Sequence, residues 1–116
     1  MSTIEKRLEE LNDLIRQFRF HEALDKFYSE DVVTCENEAP PTIGLTAYRQ
    51  GATNYLNSIS NASAELKNVL ISDDITVTEW RYIFDHKQWG HWDKVQVSVQ
   101  RWKDGLIVHE RHHYNS

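Results

Sequence analysis

The sequence is poor in the features that define several large protein classes. Cys35 is its one cysteine, which excludes an intrachain disulfide and a cysteine-based metal cluster. No apolar run approaches the ~20 residues needed to cross a membrane. The thirteen lysines and arginines are scattered along a chain of net charge -5, without the basic patch that binds a phosphate backbone. We therefore expect no membrane span and no nucleic-acid partner.

What the sequence does contain is enough apolar and aromatic material for one core. Its 116 residues are 40% hydrophobic and include thirteen aromatics, four of them tryptophan. A chain of this length buries roughly two thirds of its unfolded surface in a single core, so we predict one domain over residues 1–116. The N-terminus leads into an amphipathic helix and not into an apolar signal-peptide core, so we expect a cytoplasmic protein.

Helical periodicity dominates the first half of the chain. Ser2-Thr-Ile-Glu5 forms a capping box, and apolar residues at helical spacing predict a first helix from about Thr3 to Gln17. A short second helix follows, and Thr46 is the N-cap expected for a third. Between the second and third helices, Asp31–Glu36 is β-branched and predicts a strand, which the loop around Pro40-Pro41 ends.

Alternating residues dominate the second half and predict four long strands. Residues 62–72 and 75–86 form one antiparallel pair, and residues 94–103 and 106–114 form another. Asp104-Gly105 joins the last two strands, and an Asp-Gly pair favours a two-residue type I′ turn. Helices followed by clustered strands predict an α+β domain in which the helices cover one face of a meander sheet.

The two-residue turn at Asp104-Gly105 predicts a register for the last hairpin. Counting back from the turn places Glu110 opposite Val99 and His112 opposite Val97. We take this valine-bearing face as the core side. A carboxylate and an imidazole two residues apart on a buried strand face are the first candidates for chemistry.

The preceding hairpin contributes further polar residues. If Asp73-Asp74 is its turn pair, Glu79 shares a face with Asn68 and Arg81, and we expect all three to point inward beside the Glu–His pair. Tyrosines and one more carboxylate complete the predicted set of ligand-binding residues: Tyr28, Tyr48 and Tyr55 facing the pair from the helices, and Glu36 at the rim.

Four segments of the sequence resemble the SnoaL-like branch of the nuclear-transport-factor-2-like superfamily. They are Phe27–Val33, Glu36–Gly44, Asp74–Trp80 and Arg101–Arg111, and as an ordered set they span nearly the whole chain. The resemblance implies a cone-shaped, cystatin-like α+β fold whose curved sheet wraps a long helix. It also implies a pocket between the concave face of the sheet and the helices, and homodimers packed through the sheets.

The superfamily hosts isomerases, polyketide cyclases, dehydratases, epoxide hydrolases and plain binding proteins, so a fold of this kind does not assign an activity. In the cyclases the last strand carries an aspartate acid/base a fixed distance after the turn glycine, and that position is His112 here. The preceding inward position, often histidine in those enzymes, is Glu110. The resemblance therefore implies an acid–base pair in which the two residue types are exchanged.

Two hypotheses of equal weight follow. The first is an isomerase, cyclase or dehydratase that moves a proton on a small hydrophobic, polyketide-like or steroid-like substrate. Its catalytic residues would be His112 as base, Glu110 as orienting or acid partner, and Glu79, with tyrosines as donors. The second is a non-catalytic ligand-binding or dimerisation module, in which the same groups form a structural ion-pair network.

Neither hypothesis requires a metal or a cofactor, and we expect none. His109 and His113, at positions i and i+4 of the last strand, lie ~13 Å apart, which is too far for both to bind one metal. We expect a small-molecule ligand, and a homodimer through the convex sheet face with Trp102, Ile107 and Arg111 in the interface. Cys35 is expected to be a buried small hydrophobe and not a nucleophile.

Overall fold

The fold is α+β, as predicted, and a computed structural model describes it for residues 3–115. Ser2 of the predicted capping box lies outside the described residues. The elements are α1 (Thr3–Arg16), α2 (Phe20–Phe27), β1 (Tyr28–Glu36), β2 (Thr42–Ile43), α3 (Leu45–Ser58), β3 (Ile59–Ser72), β4 (Ile75–His86), β5 (Gly90–Lys103) and β6 (Leu106–His113). The two-residue β2 falls where a loop was predicted, and α3 begins one residue before the predicted cap.

The six described strands form one curved, unclosed sheet in the order β2-β1-β6-β5-β4-β3. Strands β3 to β6 are the predicted antiparallel meander. The last strand, β6, lies between β5 and β1 and pairs with β1 in parallel. This pairing brings the C-terminal strand beside a segment from the first third of the chain.

The core lies between the helices and the concave face of the sheet. Leucines at helical spacing on α1 meet the apolar face of α2 and the inward side chains of β1, β5 and β6. Arg7 of α1 ties these layers together, because its Nε donates to the Gly105 carbonyl at 2.6 Å and its Nη2 donates to the Lys26 carbonyl at 2.7 Å. The buried members of the core are Leu8, Leu11, Leu14, Ala23, Leu24, Phe27, Tyr28, Val32, Trp102 and Ile107.

The last hairpin has the predicted turn but not the predicted register. Asp104 and Gly105 have φ of 53° and 80°, the left-handed values that a type I′ turn requires. The pairing starts regularly, with Trp102 opposite Ile107. The next pair is Arg101 with His109, so Val108 has no partner in β5. This is a one-residue β-bulge in β6.

The bulge turns β5 over relative to the predicted register and leaves Glu110 and His112, which follow it in β6, facing inward as predicted. Glu110 pairs with Gln100, and His112 pairs with Ser98. Because successive strand residues face opposite sides, one extra residue in β6 exchanges the faces of its partner. The prediction that the valine-bearing face of β5 is the core side is therefore wrong, and Val95 is 46% exposed.

The same exchange of faces corrects the predicted dimer interface. Trp102 and Ile107 are 2% and 0% exposed and pack in the core, so neither can lie in a surface contact. Trp102 also donates from its indole Nε1 to Thr76 Oγ1 at 2.9 Å. Arg111 does lie on the convex face, where its guanidinium donates to the Asn37 carbonyl at 2.7 Å. The homodimer itself stays a prediction.

Candidate functional site

A cavity of about 480 Å³ lies between the concave face of the sheet and the helices. Ten of its 28 lining residues are aromatic, and none is lysine or arginine. Five polar side chains of the lining come from β5 and β6 and lie in one cluster: Gln96, Ser98, Gln100, Glu110 and His112. The aromatic residues are Phe20, Tyr28, Tyr48, Tyr55, Trp80, Tyr82, Phe84, Trp89, Trp92 and Tyr114.

Glu110 is the centre of the polar cluster and is 1% exposed. Its Oε2 accepts hydrogen bonds from Tyr28 Oη at 2.7 Å and from Gln100 Nε2 at 2.6 Å. Its Oε1 accepts one from Tyr48 Oη at 2.6 Å and lies 3.2 Å from His112 Nε2. Four donors therefore surround the two carboxylate oxygens, which satisfies a charge that would otherwise be costly to bury.

These donors keep Glu110 ionised. Burial alone raises the pKa of its carboxyl, but the charge of His112 and the hydrogen bonds from His112, Tyr28 and Tyr48 outweigh burial and hold that pKa at about 2. Burial and the neighbouring Glu110 charge raise the pKa of both tyrosines well above the ordinary value. Both phenols thus stay protonated and act as donors, while Glu110 acts as acceptor.

His112 is the one member of the cluster with a proton to exchange near neutral pH. Its side chain is 12% exposed, and Nε2 lies 2.9 Å from Tyr48 Oη. Its Nδ1 lies 2.7 Å from Ser98 Oγ and 3.2 Å from Gln96 Nε2. Burial lowers the pKa of the imidazole, but the Glu110 carboxylate outweighs burial and raises it above 6.5.

Six of the nine predicted site residues line the cavity. Glu110 and His112 face inward from β6 as predicted. Tyr28 and Tyr48 bond Glu110, but Tyr28 begins β1 and does not lie on a helix as predicted. Tyr55 lines the cavity from α3 and packs against Phe20 and Phe84. Glu36, at the end of β1, accepts a hydrogen bond from Tyr114 Oη at 2.7 Å. Their functional roles stay predictions. The six are Tyr28, Glu36, Tyr48, Tyr55, Glu110 and His112.

The other three, Glu79, Asn68 and Arg81, lie on the convex face, and the prediction that they point inward is wrong. The pairing of Asn68 with Glu79 is as predicted, and Asn68 Nδ2 donates to Glu79 Oε1 at 2.7 Å. Arg81 makes two hydrogen bonds to Asp93, of 2.9 and 2.8 Å. The physical reason is that Trp80, 1% exposed, occupies the inward face of β4 and turns its neighbours outward.

Three cavity residues on β5 were missed by the sequence analysis. Gln96, Ser98 and Gln100 recur at every second position, which is the spacing of one strand face. A polar stripe at this spacing is expected either on a solvent-exposed face or in a polar site. Because the opposite face of β5 carries valines and was taken as the core side, the polar face was predicted to be exposed. Three of the five side chains that bond Glu110 or His112 were therefore absent from the prediction.

The described residues contain neither a metal-binding group of side chains nor a membrane-spanning helix. Within residues 3–115, no three His, Cys, Asp or Glu side chains come together in a way that could hold a metal ion. No helix in that range is both long and apolar enough to cross a membrane. Cys35 is free and buried.

Comparison with known proteins gives a family and a fold. The family model of the SnoaL-like domain matches residues 8–110. A candidate SnoaL-like polyketide cyclase from Mesorhizobium loti shares 22% identity at a TM-score of 0.83, over 98% of this chain and 100% of that chain. A nuclear-transport-factor-2-like protein of unknown function from Burkholderia pseudomallei shares 13% identity at a TM-score of 0.84, over 99% of this chain and 92% of that chain.

A candidate isomerase from Bacillus subtilis gives 20% identity and a TM-score of 0.80, over 99% of this chain and 90% of that chain. At such identities the likeness shows a shared fold and leaves the activity open. No curated protein matches the sequence. Because the family model covers most of the chain and the neighbours share its architecture, the chain belongs to the SnoaL-like domain family, with a nuclear-transport-factor-2-like fold.

Proposed function

We propose that this protein is an enzyme of the isomerase, cyclase or dehydratase type, which moves a proton on a small hydrophobic molecule bound in the cavity. The observation that carries the proposal is the Glu110–His112 ion pair, with 3.2 Å between Oε1 and Nε2, in the wall of a cavity rich in aromatic side chains. A volume of about 480 Å³ is within the range of small-molecule sites. A buried, oriented imidazole is a frequent acid or base in such reactions.

In this proposal Glu110 positions the imidazole and does not itself transfer a proton. Its carboxylate is surrounded by four donors, and its pKa of about 2 makes it a poor base. Its negative charge favours the protonated form of His112, which then begins the reaction as an acid. The sequence-based hypothesis made His112 the base and Glu110 its orienting or acid partner; in the present proposal Glu110 keeps the orienting role and His112 starts as the acid.

The geometry favours His112 Nδ1 as the atom that exchanges the proton. Nε2 faces Glu110 and Tyr48, so its proton is shared with acceptors inside the cluster. Nδ1 faces Ser98, whose hydroxyl donates to the neutral ring and accepts from the protonated one. A ligand carbonyl or hydroxyl near Ser98 would take a proton from Nδ1, and the neutral ring would then accept a proton from the carbon adjacent to the carbonyl or hydroxyl-bearing carbon. This leaves an enol or, with loss of water, an alkene, and it restores the imidazolium. Such acid–base catalysis contributes typically ~10²–10⁴-fold in rate.

Non-catalytic ligand binding is the second candidate function, and the completeness of the cluster favours it. Both oxygens of Glu110 and both ring nitrogens of His112 already have partners within the protein. A cluster satisfied in this way can serve as a rigid polar wall that orients a ligand without reacting with it.

Proton exchange on an enolisable ketone separates the two candidates. The protein is incubated with 2-tetralone in D₂O, and loss of the α-proton signal is followed by NMR for wild type, His112→Asn and His113→Asn. His113 is the matched control, because it is the next residue, is exposed, and belongs to the opposite face of β6. We expect exchange at least ~10-fold above buffer in wild type and in His113→Asn, and exchange at the buffer rate in His112→Asn.

The alternative outcomes have definite meanings. If His112→Asn exchanges as fast as wild type, His112 is not the proton carrier. If wild type binds the ketone, as judged by shifts of its tryptophan indole signals, but exchange stays at the buffer rate, the catalytic proposal fails and the binding function is favoured.

A further inference from the structure

The residues that line the cavity carry more negative than positive charge. Glu36 and Glu110 contribute carboxylates, and His112 is the one lining residue that can become cationic. Even with His112 fully protonated, two carboxylates against one imidazolium leave one negative charge in excess. An anionic ligand would therefore enter a cavity of its own sign, with no lysine or arginine among the lining residues to neutralise it.

Glu36 is the lining carboxylate with unused hydrogen-bonding capacity. Its Oε2 accepts from Tyr114 Oη at 2.7 Å, in contrast to Glu110, which has four donors. Among residues 3–115, no cationic side chain forms a salt bridge with Glu36. It is exposed and pairs with His112 across the β1–β6 ladder, which places it at the solvent edge of the polar cluster.

The aromatic walls suit a cation as well as an apolar body. The face of an aromatic ring is the negative end of a quadrupole and attracts ammonium groups. One such contact already exists beside the cavity, where Lys94 Nζ lies 4.0 Å from the centroid of the Trp92 ring. Trp89, also in the lining, is 59% exposed and packs against Trp92 at 5.6 Å between ring centroids.

We infer that the cavity selects a molecule with a cationic amine on an apolar body, and that Glu36 sets this preference. The inference rests on the proposed binding of a small molecule in the cavity and names the chemical class of that molecule. The apolar body would contact the aromatic walls, and the ammonium group would lie near Glu36 and the exposed rings. A neutral molecule of the same shape would make the contacts with the aromatic walls but would lack the attraction between an ammonium group and Glu36.

Three probes of nearly the same shape and different charge test this preference. They are phenyltrimethylammonium, tert-butylbenzene and benzenesulfonate, each titrated into the full chain while the four tryptophan indole N–H signals are followed by NMR. Trp80, Trp89 and Trp92 line the cavity and should shift on binding. Trp102 is outside the lining, with its indole bonded to Thr76, and serves as the internal reference.

We expect the cation to bind at least ~10-fold more tightly than its neutral isostere, and the anion more weakly than both. Glu36→Gln should reduce the ratio of cation to neutral affinity at least ~3-fold and leave the affinity for tert-butylbenzene unchanged. Glu38→Gln is the matched control, because it removes the same charge from an exposed residue two positions away that does not line the cavity. This control should keep the wild-type ratio.

Contrary results separate the inference from the function on which it rests. If tert-butylbenzene binds as tightly as the cation, or if both Gln variants change the ratio equally, the charge preference is refuted and the binding function stands. If no probe shifts the signals of the three lining tryptophans, both the preference and the proposed small-molecule binding are contradicted.

Discussion

Replacing Glu110 with glutamine tests whether the buried carboxylate stabilises the fold through its charge. The amide has nearly the same volume but no charge, and its NH₂ group would face the donors that now surround Oε1 or Oε2. The folded state holds the pKa of Glu110 at about 2, against an ordinary value of 4.5. By linkage this difference corresponds to about 3 kcal/mol of unfolding free energy.

The pH dependence has a definite sign. Because folding lowers the pKa of Glu110, its contribution is present above about pH 4.5 and is lost as the pH falls towards about 2. The penalty of Glu110→Gln should therefore be about 3 kcal/mol near pH 5.5 and only about 1 kcal/mol near pH 3. At about 2.1 cal/mol/K per residue, the larger penalty lowers Tm by roughly 12 °C in a chain of 116 residues.

Urea unfolding followed by tryptophan fluorescence at the two pH values measures this penalty. Glu79→Gln is the control, since Glu79 lies on the convex face and bonds the exposed Asn68. It should change the free energy of unfolding by less than about 0.5 kcal/mol at both pH values. A penalty for Glu110→Gln that is equal at the two pH values would refute the assignment of an ionised, stabilising carboxylate.

Three further predictions concern the turn, the imidazole and the convex face. Gly105→Ala should lower the free energy of unfolding by about 1–2 kcal/mol in urea titrations, because Gly105 has φ of +80°; unchanged stability would contradict this. The NMR pKa of His112 should lie above 6.5 in wild type and should fall in Glu110→Gln, where the charge of Glu36 alone opposes burial, and equal values would disprove the coupling. We also propose that the homodimer forms through the convex face around Val95; Val95→Lys should give a monomer in light scattering, and a monomeric wild type would rule out the dimer.

The architecture could be predicted because its signals are local. Helical spacing of apolar residues, the alternation in the four long strands and the Asp104-Gly105 pair each act within a few residues, and together they give the element order. The parallel pairing of β6 with β1 has no such signal. It joins segments about 80 residues apart in sequence, and only the resemblance to a family implied the curved sheet in which it occurs.

The faces of the strands were harder to predict than the strands themselves. In β5 the valines and the polar residues alternate, so either face could be the inward one by spacing alone. Hydrophobicity favoured the valine-bearing face, which is the outward one. The bulge at Val108 has no signature in its neighbours, yet it decides which residues of β5 meet Glu110 and His112. In β4 both alternating sets contain an apolar residue, and only the packing of Trp80 turns Glu79 outward.

The position of β6 in the sheet has a consequence for how the protein is made. Strand β6 follows β5 in the chain and fills the gap between β1 and β5, so a nascent chain that stops at Lys103 leaves both neighbouring strand edges open. Glu110 meets Tyr28 across 82 residues of sequence, and such long-range contacts form slowly. We therefore expect a ribosome-bound chain to be prone to aggregation until β6 emerges, and the polar cluster around Glu110 to assemble late in folding.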